Sequence, residues 1–509
     1  MPPDTIERVL ATVDEQLVEA MNEHVLAGLA VGIVHQGRLI YSKGLGFADV
    51  SAHRGVDATT VFRIGSISKT FTAIALMQLW EQEKVDLDRP VSDYLTSYRL
   101  VPADPEKPPT LRHFLTHTGG IGEVRSLGDY LRFRSVIGLG VPEGKPLPSL
   151  AEYYGGQLVE EIPPGLKWAY ANHGFATLGQ VVEDVSGEPF ADYMLRHVFE
   201  PLGMEHTDYL RTDRVRDRLA VGYGLGRTGL KAEPYLEIAI APAGSVFSSV
   251  EDMAKYVGAL MNGGRNEHGS VVKPETLAMM YERHYGVDDR LSAMGLAFML
   301  DRVGGHRVVG HGGGWTGFIS AMLVAPDDGL GVMVFTNTSN QAPDAIASGL
   351  LRDLLGVPDP AASLPRKSVL ERPDLWPELV GDYGPLPGLN TNARTWMGLG
   401  GEARVSVKDN HLAVAALLGP LRRGLRLYPT DNADPLAFEA VHEKQAMPVI
   451  FTRGGDGKVE RLLLGMNAFY KRPRSQSVRF RALAGASAAA SVGLTLLASA
   501  LVRRKLTPH

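Results

Sequence analysis

The chain has 509 residues, 44% of them apolar and 21% charged, with a formal net charge of −5 and no cysteine. That length exceeds a single small core and predicts two or three domains. The lack of cysteine excludes disulfides, a thiolate nucleophile, Cys-zinc sites and iron–sulfur clusters, and the acidic balance argues against a nucleic-acid-binding surface. The charge is uneven: residues 471–509 hold eight Lys or Arg and no acid, which leaves −13 on the first 470.

From the N-terminus, MPPDTIERVLATVDEQLVEAMNEH reads as an acidic amphipathic helix. It lacks a basic start followed by an apolar run, so no secretory signal is expected. Two strands follow, LAVGIVH and RLIYSKGLGFAD, joined by a tight turn at Gln36-Gly37. A helix is predicted from about Ile67 to Glu83, with Ile67, Phe71, Ile74, Ala75 and Leu79 as its apolar stripe. Residues 90–300 mix helical stretches with Pro/Gly loops at 101–109 and 139–148. Strands return as HRVVG, FISAMLVAP and GVMVFTN, and a helix then runs to about Leu355.

Strands at both ends with helices between them predict an α+β domain over 1–356 whose termini meet in one sheet. A Pro-rich linker is expected over 357–377, and the short alternating runs of 378–470 predict a small antiparallel β domain. The tail, 471–509, holds 21 uncharged residues from Ala482 to Val502, with five basic residues before them and three after. As a helix this stretch would reach roughly 32 Å, enough for a hydrocarbon core of about 30 Å. It is a candidate transmembrane anchor, and its flanking charges would keep the main body on the cytoplasmic side.

Three short motifs carry chemistry. In FRIGSISKTFTA, Ser66 opens the predicted helix and Lys69 lies three residues on, on the same face. A buried lysine can take a serine's proton without a histidine, and a helix N-terminus favours a nearby oxyanion. Taken alone, the S-x-x-K spacing arises by chance in many chains, and Ser66 could simply be an N-cap. Tyr170 and Asn172, in LKWAYANHG, offer a proton shuttle and an amide able to hold the lysine or a substrate carbonyl; by themselves they also read as a turn and a cap. In VVGHGGGWTGFIS, His311 precedes Gly312, Gly313 and Gly314 on or beside a strand, where glycines admit a ligand close to the backbone. Gly312, Gly314 and Gly317 match a dinucleotide fingerprint only formally, because a strand rather than a helix follows.

Together and in this order, the three motifs resemble those of the serine β-lactamase and penicillin-binding-protein-like hydrolases, in the class C-like branch with esterases and D-aminopeptidases. LRHFLTHTGGI (111–121), EPLGMEHTDY (200–209) and APAGSVFSSVEDMAKY (241–256) extend the resemblance over residues 10–355. It implies a β-lactamase/transpeptidase-like antiparallel sheet flanked by helices, with a helical subdomain, and a lipocalin-like character for 378–470. It also implies roles. Ser66 would be the acylated nucleophile, Lys69 its base and Tyr170 the proton shuttle. Asn172 would orient lysine and substrate, and Gly314, beside Gly313, would complete the oxyanion hole. His311 stands where the family often carries lysine. That departure favours an esterase or D-aminopeptidase over a true β-lactamase, because neutral histidine suits a substrate carboxylate poorly.

The expected activity is metal-independent and cofactor-free: hydrolysis of a small ester, amide or peptide through an acyl-enzyme. A D-amino-acid peptidase or DD-carboxypeptidase, a weak β-lactamase and an acyltransferase use the same residues. A non-catalytic membrane-tethered scaffold is the alternative of another class. His113 and His117 are read as structural, Glu251 and Asp252 as a helix start, and Trp168, Trp315 and Phe318 as pocket or core aromatics.

Overall fold

A computed structural model describes residues 3–123, 139–227, 229–364, 369–388, 392, 401–417, 420–442, 445–478 and 480. The chain forms two compact units. One comprises Met1–Ser363 with Gly388–Ala393 and Glu443–Gln445; the other comprises Leu364–Pro387, Arg394–His442 and Ala446–His509.

The main elements of the first unit, in chain order, are α1 (Pro3–Glu23), β1 (Gly28–His35), β2 (Arg38–Asp49), β3 (Arg54–Gly55), α2 (Ser68–Glu81), α3 (Asn172–Ser186) and α4 (Val250–Met261). After these come β4 (Ala293–Met294), β5 (Met299–Val303), β6 (His306–Trp315), β7 (Phe318–Ala325), β8 (Leu330–Thr336) and α5 (Ala342–Leu354). The run LAVGIV is apolar without alternation, and β1 is accordingly buried on both faces. It pairs with β2 through a turn in which Gln36 and Gly37 both have positive φ, 49° and 78°. Its other edge pairs with β8, Val31 opposite Val334, so the two ends of the domain meet in one antiparallel sheet ordered β4-β5-β6-β7-β8-β1-β2-β3.

Helices cover both faces. On one, Val13 and Leu17 of α1 and Leu350 and Leu351 of α5 pack with Val31, Ile33 and Val332. On the other, Phe71 and Ile74 of α2 and Met253 and Val257 of α4 pack with Ala30, Val34 and Phe335. The helix predicted from Ile67 starts at Ser68, and a 3-10 turn over Gly65–Ile67 carries Ser66 ahead of it. A one-sided stripe is also too narrow a description of α2, because Ser68, Lys69, Thr70 and Thr72 are buried with its apolar residues. The three hydroxyls are satisfied, two locally and one across the fold: Ser68 Oγ donates to Gly65 O at 2.6 Å, Thr70 Oγ1 to Ile67 O at 2.8 Å and Thr72 Oγ1 to Pro242 O at 2.7 Å.

The second unit contains β9 (Gly381–Pro385), β10 (Ala403–Lys408), β11 (His411–Ala416), β12 (Leu425–Arg426), β13 (Tyr428–Pro429), β14 (Ala437–His442), β15 (Gln445–Arg453, in this unit from Ala446 on), β16 (Val459–Leu464) and β17 (Asn467–Arg472). They form one sheet ordered β12-β11-β10-β9-β17-β16-β15-β14-β13 around Tyr383, Phe438, Phe451, Leu462 and Phe469. β12 approaches β14, so the sheet curls into a nearly closed barrel. Buried Glu402 fixes the exit of the tail, accepting from Ser477 Oγ at 3.0 Å and Val478 N at 2.7 Å. The candidate span 482–502 lies outside the described residues. Among the described residues no helix is long and apolar enough to cross a membrane.

Candidate active site

Every residue from 61 to 70 is buried except Ser66, which is half-buried on the 3-10 turn. Lys69, one turn further on, is fully buried. A buried ammonium is tolerated only where acceptors replace water. Lys69 Nζ donates to Ser66 Oγ at 3.0 Å, to Asn172 Oδ1 at 2.7 Å and to Ala243 O at 2.6 Å, and it lies 4.9 Å from the ring centre of Tyr170. Three segments far apart in sequence thus converge on one nitrogen.

Asn172 is the first residue of α3, and Ala171, in extended conformation, links it to Tyr170. The Tyr170 ring lies 4.2 Å from the ring of His117 and 6.1 Å from that of His311, centre to centre. His117 itself is buried at positive φ, 57°, and accepts from Ala171 N at 3.2 Å through Nδ1. It therefore serves as a support for the Tyr170–Asn172 segment. Two residues missed by the sequence reading also touch this segment. Glu123, fully buried, accepts from Asn172 Nδ2 at 2.6 Å, and Asn392, also fully buried, donates from Nδ2 to Tyr170 O at 2.9 Å. Neither belongs to a periodic pattern that would have drawn attention to it.

β6 carries His311 and the glycines past the same turn. A Cβ on Gly313 would sit 1.9 Å from Ile64 O, and one on Gly65 (φ 52°) would sit 2.5 Å from Gly314 N. Glycine at both positions lets β6 lie against the backbone of the Ser66 turn and brings the Gly314 amide beside it. His311 is buried, with Nδ1 2.5 Å from Gly312 O. A carbonyl only accepts, so Nδ1 carries the proton, and Nε2 is a buried lone pair with no hydrogen-bond partner among the described residues. Burial, reinforced by the Lys69 ammonium, pushes the imidazole down to about 3 against the weaker pull of the Gly312 carbonyl. The ring is neutral at pH 7.

Arg63, just before the turn, is buried among the rings of Tyr235, Phe247 and Trp315, 5.4, 5.0 and 5.2 Å from their centres. It also donates to Leu236 O, which ties it to the stretch leading to Ala243. Trp315 and Phe318 are thus largely core, whereas Trp168 is half-buried beside His117 and Tyr170. His113 completes a capping box with Thr110, a local role. Asp252 does more than start a helix. It is buried, and it accepts from His206 N at 2.6 Å, Thr207 Oγ1 at 2.8 Å and Lys255 Nζ at 3.0 Å.

The sequence model of the Beta-lactamase family matches residues 13–356. PbpX of Bacillus subtilis (strain 168), named for the penicillin-binding proteins, is 31% identical over 268 residues; the match spans 50% of this chain and 61% of PbpX, under two thirds of that relative. Penicillin-binding protein 4 of Amycolatopsis lactamdurans is 27% identical over 352 residues, 66% of this chain and 86% of the relative. The octameric penicillin-binding protein homologue from Pyrococcus abyssi superposes with a TM-score of 0.60 at 26% identity, covering 91% of this chain and all (100%) of the homologue. SurE shares the fold at a TM-score of 0.58 and 21% identity, over 93% of this chain and 100% of SurE. The serine–lysine pair, the tyrosine–asparagine segment and the glycine strand thus lie inside the matched region, and this chain belongs to the Beta-lactamase family.

Proposed function

We propose that this chain is a serine hydrolase that acts through an acyl-enzyme on a carboxylic ester or amide, most readily an ester. The observation that carries this reading is Lys69 Nζ, fully buried and 3.0 Å from Ser66 Oγ. The two carbonyl acceptors at 2.6 and 2.7 Å engage two of its N–H directions. With Lys69 as the free amine, its third proton released to bulk water before the reaction, its lone pair faces Ser66 along the remaining direction and accepts the hydroxyl proton as Oγ bonds to the substrate carbonyl carbon. The amides of Ser66 and Gly314 receive the resulting oxyanion. As the tetrahedral intermediate collapses, Tyr170 relays the proton to the leaving oxygen or nitrogen. Water then repeats the sequence on the acyl-enzyme, and its proton returns through the same groups.

His311 supports an ester or amine-bearing substrate over a penicillin. A neutral ring with a free Nε2 lone pair accepts a hydrogen bond from a hydroxyl, amide or ammonium group and gives a carboxylate no cation. D-amino-acid peptidase activity is the second reading on this ground. The test compares turnover of a short-chain p-nitrophenyl ester, D-alanine p-nitroanilide and a chromogenic cephalosporin by the wild type and Ser66→Ala. Ester or anilide turnover lost in the variant, with slow cephalosporin hydrolysis, is expected. Fast cephalosporin hydrolysis overturns the reading of His311, and turnover that survives Ser66→Ala overturns the nucleophile. We also propose that 482–502 anchors the protein in a membrane, on the strength of its uncharged length and basic flanks.

A further inference from the structure

The Asn172 amide has two faces of opposite character, and its use depends on which one meets Lys69. Its Oδ1 lies 2.7 Å from Lys69 Nζ and its Nδ2 lies 2.6 Å from Glu123 Oε1. A protonated lysine only donates and a carboxylate only accepts, so these two neighbours permit one orientation of the amide. Turning it over would set N–H against N–H and oxygen against oxygen. Glu123 is itself held in place: it is fully buried, and its carbonyl oxygen accepts from Nε2 of His173, the residue after Asn172, at 2.9 Å. Nδ1 of the same imidazole accepts from Tyr154 OH at 3.1 Å. The carboxylate therefore reaches Asn172 from a backbone anchored to the same helix start.

We infer that Glu123 is a positioning residue for the serine–lysine pair: its carboxylate locks the Asn172 amide with the oxygen toward Lys69, and so holds Nζ on the line to Ser66 Oγ. This rests on the hydrolase reading above. What matters is reach and acceptor character rather than charge. Glu123→Gln keeps an oxygen at the same distance from Asn172 Nδ2 and gives up only the longer contact, 3.4 Å, that Oε2 accepts from Asn172 N. Glu123→Asp keeps the charge but withdraws it by about 1.5 Å, beyond hydrogen-bond range.

The experiment measures the second-order rate of Ser66 labelling by a fluorophosphonate, per folded molecule, in the full chain, together with kcat and KM on the p-nitrophenyl ester. Glu123→Gln is expected within about threefold of wild type. Glu123→Asp is expected to lose roughly 10- to 100-fold in labelling and in kcat, with KM little changed. Should Glu123→Asp fail to fold, Glu123→Asn, with the same shortened reach, takes its place. A purely structural role predicts lower melting temperatures at unchanged labelling rates, and Glu123→Asp labelling as fast as wild type overturns the inference. Glu123→Gln falling as far as Glu123→Asp overturns it too, because the Oε1 contact with Asn172 Nδ2 would then not be what holds the pair. If the wild type is not labelled, or Ser66→Ala is labelled equally, the hydrolase reading falls and takes this inference with it.

Discussion

Replacing His311 by glutamine removes a buried titratable ring, and the structure gives the size of the effect. In the unfolded chain a histidine titrates near 6.5, whereas His311 in the fold is held at about 3, first by burial and then by the Lys69 ammonium. Because the folded value is the lower one, the unfolded state takes up the proton first as pH falls. The contribution of the neutral ring is therefore present above about pH 6.5 and drains away between there and pH 3. At pH 5 the gap from 6.5 amounts to about 1.5 pH units, or roughly 2 kcal/mol, nearly all of it absent at pH 8. Urea unfolding of wild type and His311→Gln at pH 8, 6.5 and 5 measures it, with other groups cancelling in the difference. Wild type is expected to lose about 2 kcal/mol more than the variant between pH 8 and 5. Identical pH dependence in the two proteins would refute both the buried neutral ring and the tautomer argument built on it.

Glu160 predicts the opposite sign. It is buried, with Oε1 unpartnered among the described residues, and burial, aided by Asp104 and opposed by the Ala103 N–H bond, raises its carboxyl to about 7. The stability it contributes as a neutral acid is present below about pH 4.5 and is lost as pH rises through 7. Up to roughly 3 kcal/mol should disappear between pH 5 and 8 in wild type and not in Glu160→Gln, as read by calorimetry. Gly313→Ala drives a methyl group into Ile64 O. We expect it to lower stability by about 2 kcal/mol and to slow Ser66 labelling more than tenfold; a variant that labels normally would show that β6 need not lie against the turn. Finally, full-length protein should pellet with membranes and resist carbonate extraction, whereas a chain ending at Phe480, which retains the Glu402 contacts with Ser477 and Val478, should stay in the supernatant. Equal partitioning of the two chains would dismiss the anchor.

The local features of this protein were open to reading from its sequence because their causes are local. The apolar run of β1, the Gln36-Gly37 turn and the strands of β6, β7 and β8 follow from periodicity and turn chemistry over a few residues. Ser66 and Lys69 are three apart on one helical turn, so their meeting needs no tertiary information. The order of the motifs then carried the family. The tertiary structure decided what makes the pair an arrangement. The acceptors of Lys69 lie 103 and 174 residues away, and Glu123 reaches Asn172 across 49. Asn392 meets Tyr170 across 222 residues. Partners so distant leave no periodic trace in a single chain, because hydrogen bonding constrains where two groups meet in space and not how far apart they lie in sequence. The same reason hid the neutrality of His311, which depends on burial and on Lys69, a neighbour only in the folded state.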